Sequence, residues 1–291
     1  VLSLVLPKGS LEKQVLELFD AADLPVIRGG ERDYHARIDD PRIDRVRFLR
    51  PQEIPTYVEQ GIFDLGISGR DWVTETGAAV ESLGEIGGGR AGEPAVRVVL
   101  AVPRESAWSS IRDLPEGVRI STELPETTRR FCAEHGVSAR VFTSHGATEA
   151  KIPDIVDAIV ELTETGSSLR KAGLKIIETL LTSKTELLAN RTSFADPEKR
   201  AAMDDIVLLV QGALLARGQV LLKLNVSRAQ LDAVLDVLPS MASPTVMPLA
   251  DGELRAVEAV VAKRGVNMLI PSLKAAGARD ILEIPIAKIV V

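Results

Sequence analysis

Val1 to Leu6 is apolar apart from Ser3 and stops at Pro7-Lys8-Gly9, after which apolar residues recur at helical spacing from Leu11 to Ala22. A short apolar run followed at once by a 3.6-residue period commits a chain to strand, then helix, around a buried sheet. Val26 to Arg28 and Ile62 to Ser68 add two more strand signals, so the opening segment reads as alternating α/β architecture.

A new block opens after Gly87-Gly88-Gly89-Arg90-Ala91-Gly92, which places a domain boundary near Gly92. Val96 to Val102 reads as a strand, Ile111 to Leu114 precedes a strand signal at Arg119 to Thr122, and Glu126 to His135 reads as a helix. Leu174 to Leu181 and Thr185 to Ala189 resume strand and helix signals. Pro197 to Arg217 is a long amphipathic helix with Met203, Ile206, Val207, Val210 and Leu214 on its apolar side. Beyond it the order is strand Val220 to Val226, helix Arg228 to Leu238, strands Thr245 to Leu249 and Leu254 to Ala262, helix Met268 to Ala276 and strand Ile281 to Ile289. That βαββαβ order is ferredoxin-like.

The composition removes several classes. The chain has 291 residues, 45% hydrophobic and 26% charged, with a net charge of -6 and one cysteine, Cys132. Such a chain folds, carries no disulfide framework or thiolate metal cluster, and gives nucleic acid no basic surface. No apolar run reaches about 18 residues, and the first strand lacks a basic flank, so no membrane span or export signal is expected and a cytoplasmic setting is.

The run Glu149-Ala-Lys-Ile-Pro-Asp-Ile-Val-Asp157-Ala-Ile-Val-Glu161-Leu-Thr-Glu-Thr165-Gly166-Ser167-Ser168-Leu169 places carboxylates ahead of a small-residue turn. Ile155 to Val160 reads as a buried segment broken only by Asp157. If a helix starts at Leu169, backbone N–H groups of Thr165 to Ser168 and three hydroxyls converge on an anion. Asp157 and Glu161 suit ribose hydroxyls or a divalent metal. An ordinary helix cap with solvated carboxylates fits the same spacing.

Two other turns have phosphate-binding chemistry. Lys8-Gly9 joins a strand to a helix and offers a cation beside backbone donors. In Asp64-Leu-Gly66-Ile-Ser68-Gly69-Arg70-Asp71-Trp-Val73, the glycines permit close backbone approach and Arg70 supplies charge; capping by Asp71 is the competing reading. Arg50 is a further phosphate candidate unless it pairs with Glu53.

Taken in order, Leu6-Pro7-Lys8-Gly9, Asp64 to Gly69, Gly146-Ala-Thr-Glu149, Asp157 to Leu169, Ser243-Pro-Thr-Val246 and Ala276-Gly277-Ala278 resemble the long-form ATP phosphoribosyltransferases over nearly the entire chain. The resemblance implies a two-lobed core like a type II periplasmic binding protein, with residues 1–91 and 180–210 in lobe I and 92–179 in lobe II. An ACT-like histidine-sensing domain at 211–291 would follow. It implies transfer of phosphoribosyl from phosphoribosyl pyrophosphate to N1 of ATP, with magnesium, opening histidine biosynthesis under feedback by histidine.

By the same resemblance, Glu149, Asp157, Glu161, Thr165, Gly166, Ser167, Ser168 and Leu169 bind the ribosyl donor. Lys8, Gly9, Arg50, Gly66, Ser68, Gly69 and Arg70 bind ATP, with Lys8 and Asp157 the catalytic candidates. Asn225, Met241, Ser243, Thr245 and Ala278 would contact histidine between domains of a homo-oligomer, dimer or hexamer. Ser10 stands where many relatives carry arginine, and Arg32 or Arg47 could restore that charge. A two-lobed solute-binding protein without catalysis is the alternative, disfavoured by the acidic phosphate loop.

Overall fold

A computed structural model describes residues 1–30, 32–87, 96–239, 243–250 and 252–291. The chain divides into two units, residues 1–20 with 24–207 and residues 21–23 with 208–291.

The first unit begins with β1 (Leu2–Pro7), α1 (Glu12–Ala21), β2 (Val26–Ile27), β3 (His35–Ile38), β4 (Ile43–Leu49), α2 (Ile54–Glu59), β5 (Leu65–Gly69), α3 (Arg70–Thr76) and β6 (Val80–Glu85). Then come β7 (Val96–Pro103), β8 (Val118–Thr122), α4 (Pro125–Glu134), β9 (Ala139–Thr143), β10 (Ala158–Thr163), α5 (Ser167–Lys171) and β11 (Leu174–Ser183). The chain returns as β12 (Thr185–Asn190) and α6 (Arg191–Ala195), and α7 (Pro197–Ala216) leads out of the unit.

These strands make two sheets, β2-β3-β4-β1-β5-β12-β6 and β11-β7-β10-β8-β9, here called the first and second lobes. The domain limit expected near Gly92 falls outside the described residues. On the return path, Lys184 alone separates β11 in one sheet from β12 in the other. Thr185 to Asn190 is therefore strand where helix was expected; it is buried at all six positions, and burial on both faces erases the alternation that marks a strand in sequence.

Each lobe has its own apolar packing. Val5, Ile54, Val58, Phe63, Val73 and Leu188 cluster in the first. Val98, Leu100, Ile120, Leu124, Cys132 and Val160 cluster in the second, where Trp72 of α3 also packs. The lobes are tied again by Glu75 of α3, whose carboxylate accepts the N–H groups of Glu126 (2.9 Å) and Thr127 (2.8 Å) at the start of α4. Those are donors that a helix start leaves without intrahelical partners.

The second unit carries β13 (Gln219–Ser227), α8 (Leu231–Val237), β14 (Thr245–Pro248), β15 (Leu254–Ala262), α9 (Val266–Ala275) and β16 (Arg279–Pro285) in one antiparallel sheet ordered β14-β15-β13-β16. Val220, Leu222, Leu224 and Val226 alternate onto the face covered by Val234 and Leu273 of the helices.

Candidate functional site

The loop after β10 is built as a cradle. Gly166 has φ 71°, the left-handed region that glycine enters without steric cost, and its N–H donates to Thr163 Oγ1 at 2.8 Å. The helix starts at Ser167, two residues earlier than expected, and its first i→i+4 bond runs from Arg170 N to Gly166 O. The N–H groups of Ser167, Ser168 and Leu169 precede that bond; Ser167 N donates to Thr165 Oγ1 at 3.4 Å, while those of Ser168 and Leu169 point out of the helix start toward any anion there. Leu169 is buried and anchors the turn, while Thr165, Ser167 and Ser168 are exposed. Arg170 folds back and donates from Nη1 to Thr165 O at 2.9 Å.

Glu161, on the same strand, is the carboxylate with the unusual environment. Burial pushes it above the ordinary glutamate range, bonds from Leu162 N–H and the Thr148 hydroxyl pull the other way, and the charges of Glu123 and Glu149 push it up further. Glu149, on a short 3₁₀ turn at Thr148–Lys151, is thus within electrostatic reach of Glu161.

Asp157 is occupied differently from the sequence expectation. Arg119 on β8 holds both of its oxygens, from Nη2 at 2.7 Å and Nε at 3.1 Å, and adds its backbone N–H at 2.9 Å. Those bonds hold Asp157 below the usual carboxylate range. The buried segment also begins later than expected: β10 starts at Ala158 and Ile155 is 62% exposed. Among the described residues no three His, Cys, Asp or Glu side chains converge to hold a metal.

In the first lobe, the Lys8-Gly9 turn borders a cleft of about 790 Å³ that Arg28, Arg32 and Tyr34 also line. Glu12 is its internal anion. It takes Lys8 Nζ at 3.0 Å, Arg28 Nη1 at 2.6 Å and the Gly9 N–H at 3.3 Å, and although burial opposes ionisation, those partners hold it below the usual range. The Arg28 guanidinium lies 4.9 Å from the centre of the Phe48 ring. Arg50 belongs to the same turn, since a Cβ on Gly9 would sit 3.5 Å from Arg50 Nη1. Of the two arginines weighed for the charge missing at Ser10, Arg32 lines this cleft, whereas Arg47 bonds the carbonyl of Val46.

Gly66 to Arg70 has internal employment. A Cβ on Gly66 would meet Val58 and Ile54 at 2.6 and 2.7 Å, so the glycine admits α2 against β5 rather than a ligand. Gly69 leaves room for the Asp71 carboxylate, which accepts the Ser183 hydroxyl. Ser68 is fully buried and donates to Pro51 O at 2.7 Å. Arg70 donates to Glu186 Oε1 at 2.9 Å, and Ser82 takes the other oxygen of that glutamate. None of these four residues lines the cleft beside Lys8.

In the second unit, Asn225 donates to Asp280 Oδ2 at 3.0 Å and pairs with Arg279, next to buried Ala278. Thr245 pairs with Glu258, which faces Lys223 rather than Asn225. Ser243 and Thr245 are exposed at the β14 edge, two strands from Asn225, a spacing of about 10 Å. One copy therefore does not bring these two groups together. Met241 lies outside the described residues.

Sequence reasoning missed Arg28, Glu12 and Tyr34, whose place at the cleft depends on how β2 and β3 return toward α1; Glu12, four residues after Lys8, carried the only local signal.

Comparison with known proteins gives one consistent result. The family model described as "ATP phosphoribosyltransferase" matches residues 50–212, and "HisG, C-terminal domain" matches residues 216–288. An ATP phosphoribosyltransferase of Solibacter usitatus is 47% identical over 290 residues, covering 100% of this chain and 99% of its own. One from Chlorobium chlorochromatii is 44% identical, covering 100% and 98%. Among solved structures, the ATP phosphoribosyl transferase (HisG:HisZ) complex from Thermotoga maritima superposes with TM-score 0.62 at 27% identity, covering 72% of this chain and 96% of that one.

Proposed function

Since the chain belongs to the ATP phosphoribosyltransferase family, the first step of histidine biosynthesis, we propose a division of labour for that reaction among the residues described above. The second lobe takes the ribosyl donor: Ser168 and Leu169 offer N–H groups to its 5-phosphate, Thr165 and Ser168 add hydroxyls, and Glu161 with Glu149 reads the ribose hydroxyls. Asp157 supports this strand through Arg119. The first lobe takes the phosphates of ATP at Lys8, Gly9, Arg28, Arg32 and Arg50, the two lobes together forming a core like a type II periplasmic binding protein.

In this scheme N1 of adenine attacks the anomeric carbon, the bond to pyrophosphate breaks, and configuration inverts. N1 has a free lone pair at neutral pH, so the protein needs no general base to make the nucleophile. It aligns two anions and stabilises charge as pyrophosphate departs. No cage for a resident metal exists among the described residues, and the donor set fits magnesium carried in on the pyrophosphate. When bound, that ion neutralises the leaving group.

The second unit fits an ACT-like sensor by its βαββαβ order, and we assign histidine to it. Asn225 and Ala278 stand apart from Ser243 and Thr245 within one copy, an arrangement suited to a ligand held between copies of a homo-oligomer, dimer or hexamer. The observation that carries the reading is the Thr165 to Leu169 cradle after the strand that carries Glu161. Absorbance assay of phosphoribosyl-ATP formation from ATP, phosphoribosyl pyrophosphate and magnesium tests it, with omission of each component and with added histidine. Product independent of the ribosyl donor, or no product, overturns it; activity indifferent to histidine removes the sensor assignment.

A further inference from the structure

A buried polar stack lies beneath Glu161. The turn at Thr148–Lys151 packs on β8 and β10, and Lys151 Nζ donates to Ser144 Oγ at 2.5 Å and to Ser121 Oγ at 3.3 Å. Ser144 Oγ and Thr148 Oγ1 are 2.9 Å apart, both residues are almost fully buried at 3% and 1% exposure, and Thr148 bonds Glu161. Among the described residues Lys151 makes no direct ion pair.

The chemistry of the two ends fixes the direction of the chain. An ammonium only donates and a carboxylate only accepts, so Ser144 Oγ accepts from Lys151 and Thr148 donates to Glu161; the Ser144 hydroxyl then donates to Thr148 Oγ1 at 2.9 Å, the nearer of its two acceptors, Gly146 O lying at 3.3 Å. A buried chain of this kind gains from each member polarising the next. Its far end, together with the Leu162 N–H at 3.0 Å from Oε1, sets the plane of the Glu161 carboxylate.

We propose that Lys151 is a positioning residue for the ribosyl donor, acting through Ser144 and Thr148 to orient Glu161 so that its remaining lone pairs face the ribose hydroxyls. This rests on the reading of Glu161 as the ribose carboxylate. Other charges stand on the elements around it: Glu123 beyond β8 and Glu149 on the turn, which act on Glu161 directly, Arg97 on β7 diagonally across, Arg170 and Lys171 on α5, the former turned back to Thr165 O, and the Arg119–Asp157 pair. Glu123 and Glu149 oppose a charged Glu161, and the donated chain from Lys151 supports one.

Steady-state kinetics of Lys151→Met, Lys151→Arg, Thr148→Val and Thr148→Ser, with Glu161→Gln as reference, test the relay. Lys151→Met and Thr148→Val should raise KM for phosphoribosyl pyrophosphate about tenfold, as expected for one lost charge-assisted bond, and leave KM for ATP within about twofold. The acid limb of kcat/KM for the donor should move toward neutrality in both, while Lys151→Arg and Thr148→Ser retain most of the wild-type values. If Glu161→Gln leaves the donor KM unchanged, the ribose reading falls and the relay with it. If Glu161→Gln raises that KM but Lys151→Met and Thr148→Val do not, the relay alone is overturned. A fall in kcat with both KM values and the acid limb unmoved also overturns it.

Discussion

Arg119 grips Asp157 across 38 residues of sequence with two guanidinium nitrogens at 2.7 and 3.1 Å, and both oxygens of the carboxylate are engaged. The pair fixes the start of β10 to β8, whereas Glu161, further along the same strand, has no arginine or lysine bonded to it among the described residues. Replacing Asp157 by Asn should therefore act on stability first. The expected result is a lower thermal midpoint, with Arg119→Met lowering it as well. Glu161→Gln should instead raise the donor KM with little change in midpoint. A folded Asp157→Asn protein of unchanged midpoint and abolished turnover would return the catalytic role to Asp157.

Gly166 combines φ 71° with close neighbours, since a Cβ there would lie 3.0 Å from Ile176 Cδ1 and 3.1 Å from Arg170 Nη1. Gly166→Ala should distort the cradle and raise the donor KM by about 10- to 100-fold, matching a cost of about 1–3 kcal/mol, with the ATP KM unaffected. Initial-rate measurements with each substrate varied in turn decide it; equal changes in both KM values would count against a donor loop.

Asp64 ties the first lobe to α7. It accepts from Ser3 N (2.8 Å), Ser3 Oγ (2.7 Å), Ser193 Oγ (2.6 Å) and Lys199 Nζ (2.6 Å). Burial opposes its ionisation, but these partners win and lower it to about 2. A depressed acid stabilises the fold above its unfolded value near 4, and that stabilisation is lost as pH falls through the folded value near 2. Denaturant titrations between those limits should show a loss of about 2 kcal/mol, smaller in Lys199→Met. Parallel pH curves for the two proteins would contradict the assignment.

In the second unit, Gly277 has φ 107°, and a Cβ there would come within 2.4–2.6 Å of the Gln230 side chain, which Ser227 holds at 2.9 Å. Gly277→Ala should displace the neighbouring Ala278 and Asp280 at a cost of about 1–3 kcal/mol. The expected result is weaker histidine inhibition with basal kcat retained. Inhibition curves that superimpose on wild type would separate this turn from the sensor.

Much of this arrangement is legible in the sequence where the signal is local. The apolar run of β1 and the Lys8-Gly9 turn, the small-residue turn after β10 and the βαββαβ order each depend on neighbours in the chain. Legibility fails where a distant partner decides. Gly66 carries no mark that Val58 and Ile54 fill the space above it, Asp157 none that Arg119 will take both oxygens, and Arg70 none that Glu186 lies opposite. Arg28 becomes a site residue only when β2 brings it over Phe48 and against Glu12.

Lys184 is the sole residue between the last strand of one sheet and the strand that rejoins the other, and its carbonyl accepts the N–H of Arg70 at 2.9 Å. One residue of extended chain spans at most about 3.6 Å. At this crossing the lobes have no slack to slide along or away from each other, so the motion left to them here is a turn, like a door on a pin. Lengthening the pin by a few glycines would trade that single arc for a tether, and substrate alignment would suffer before either lobe lost its fold.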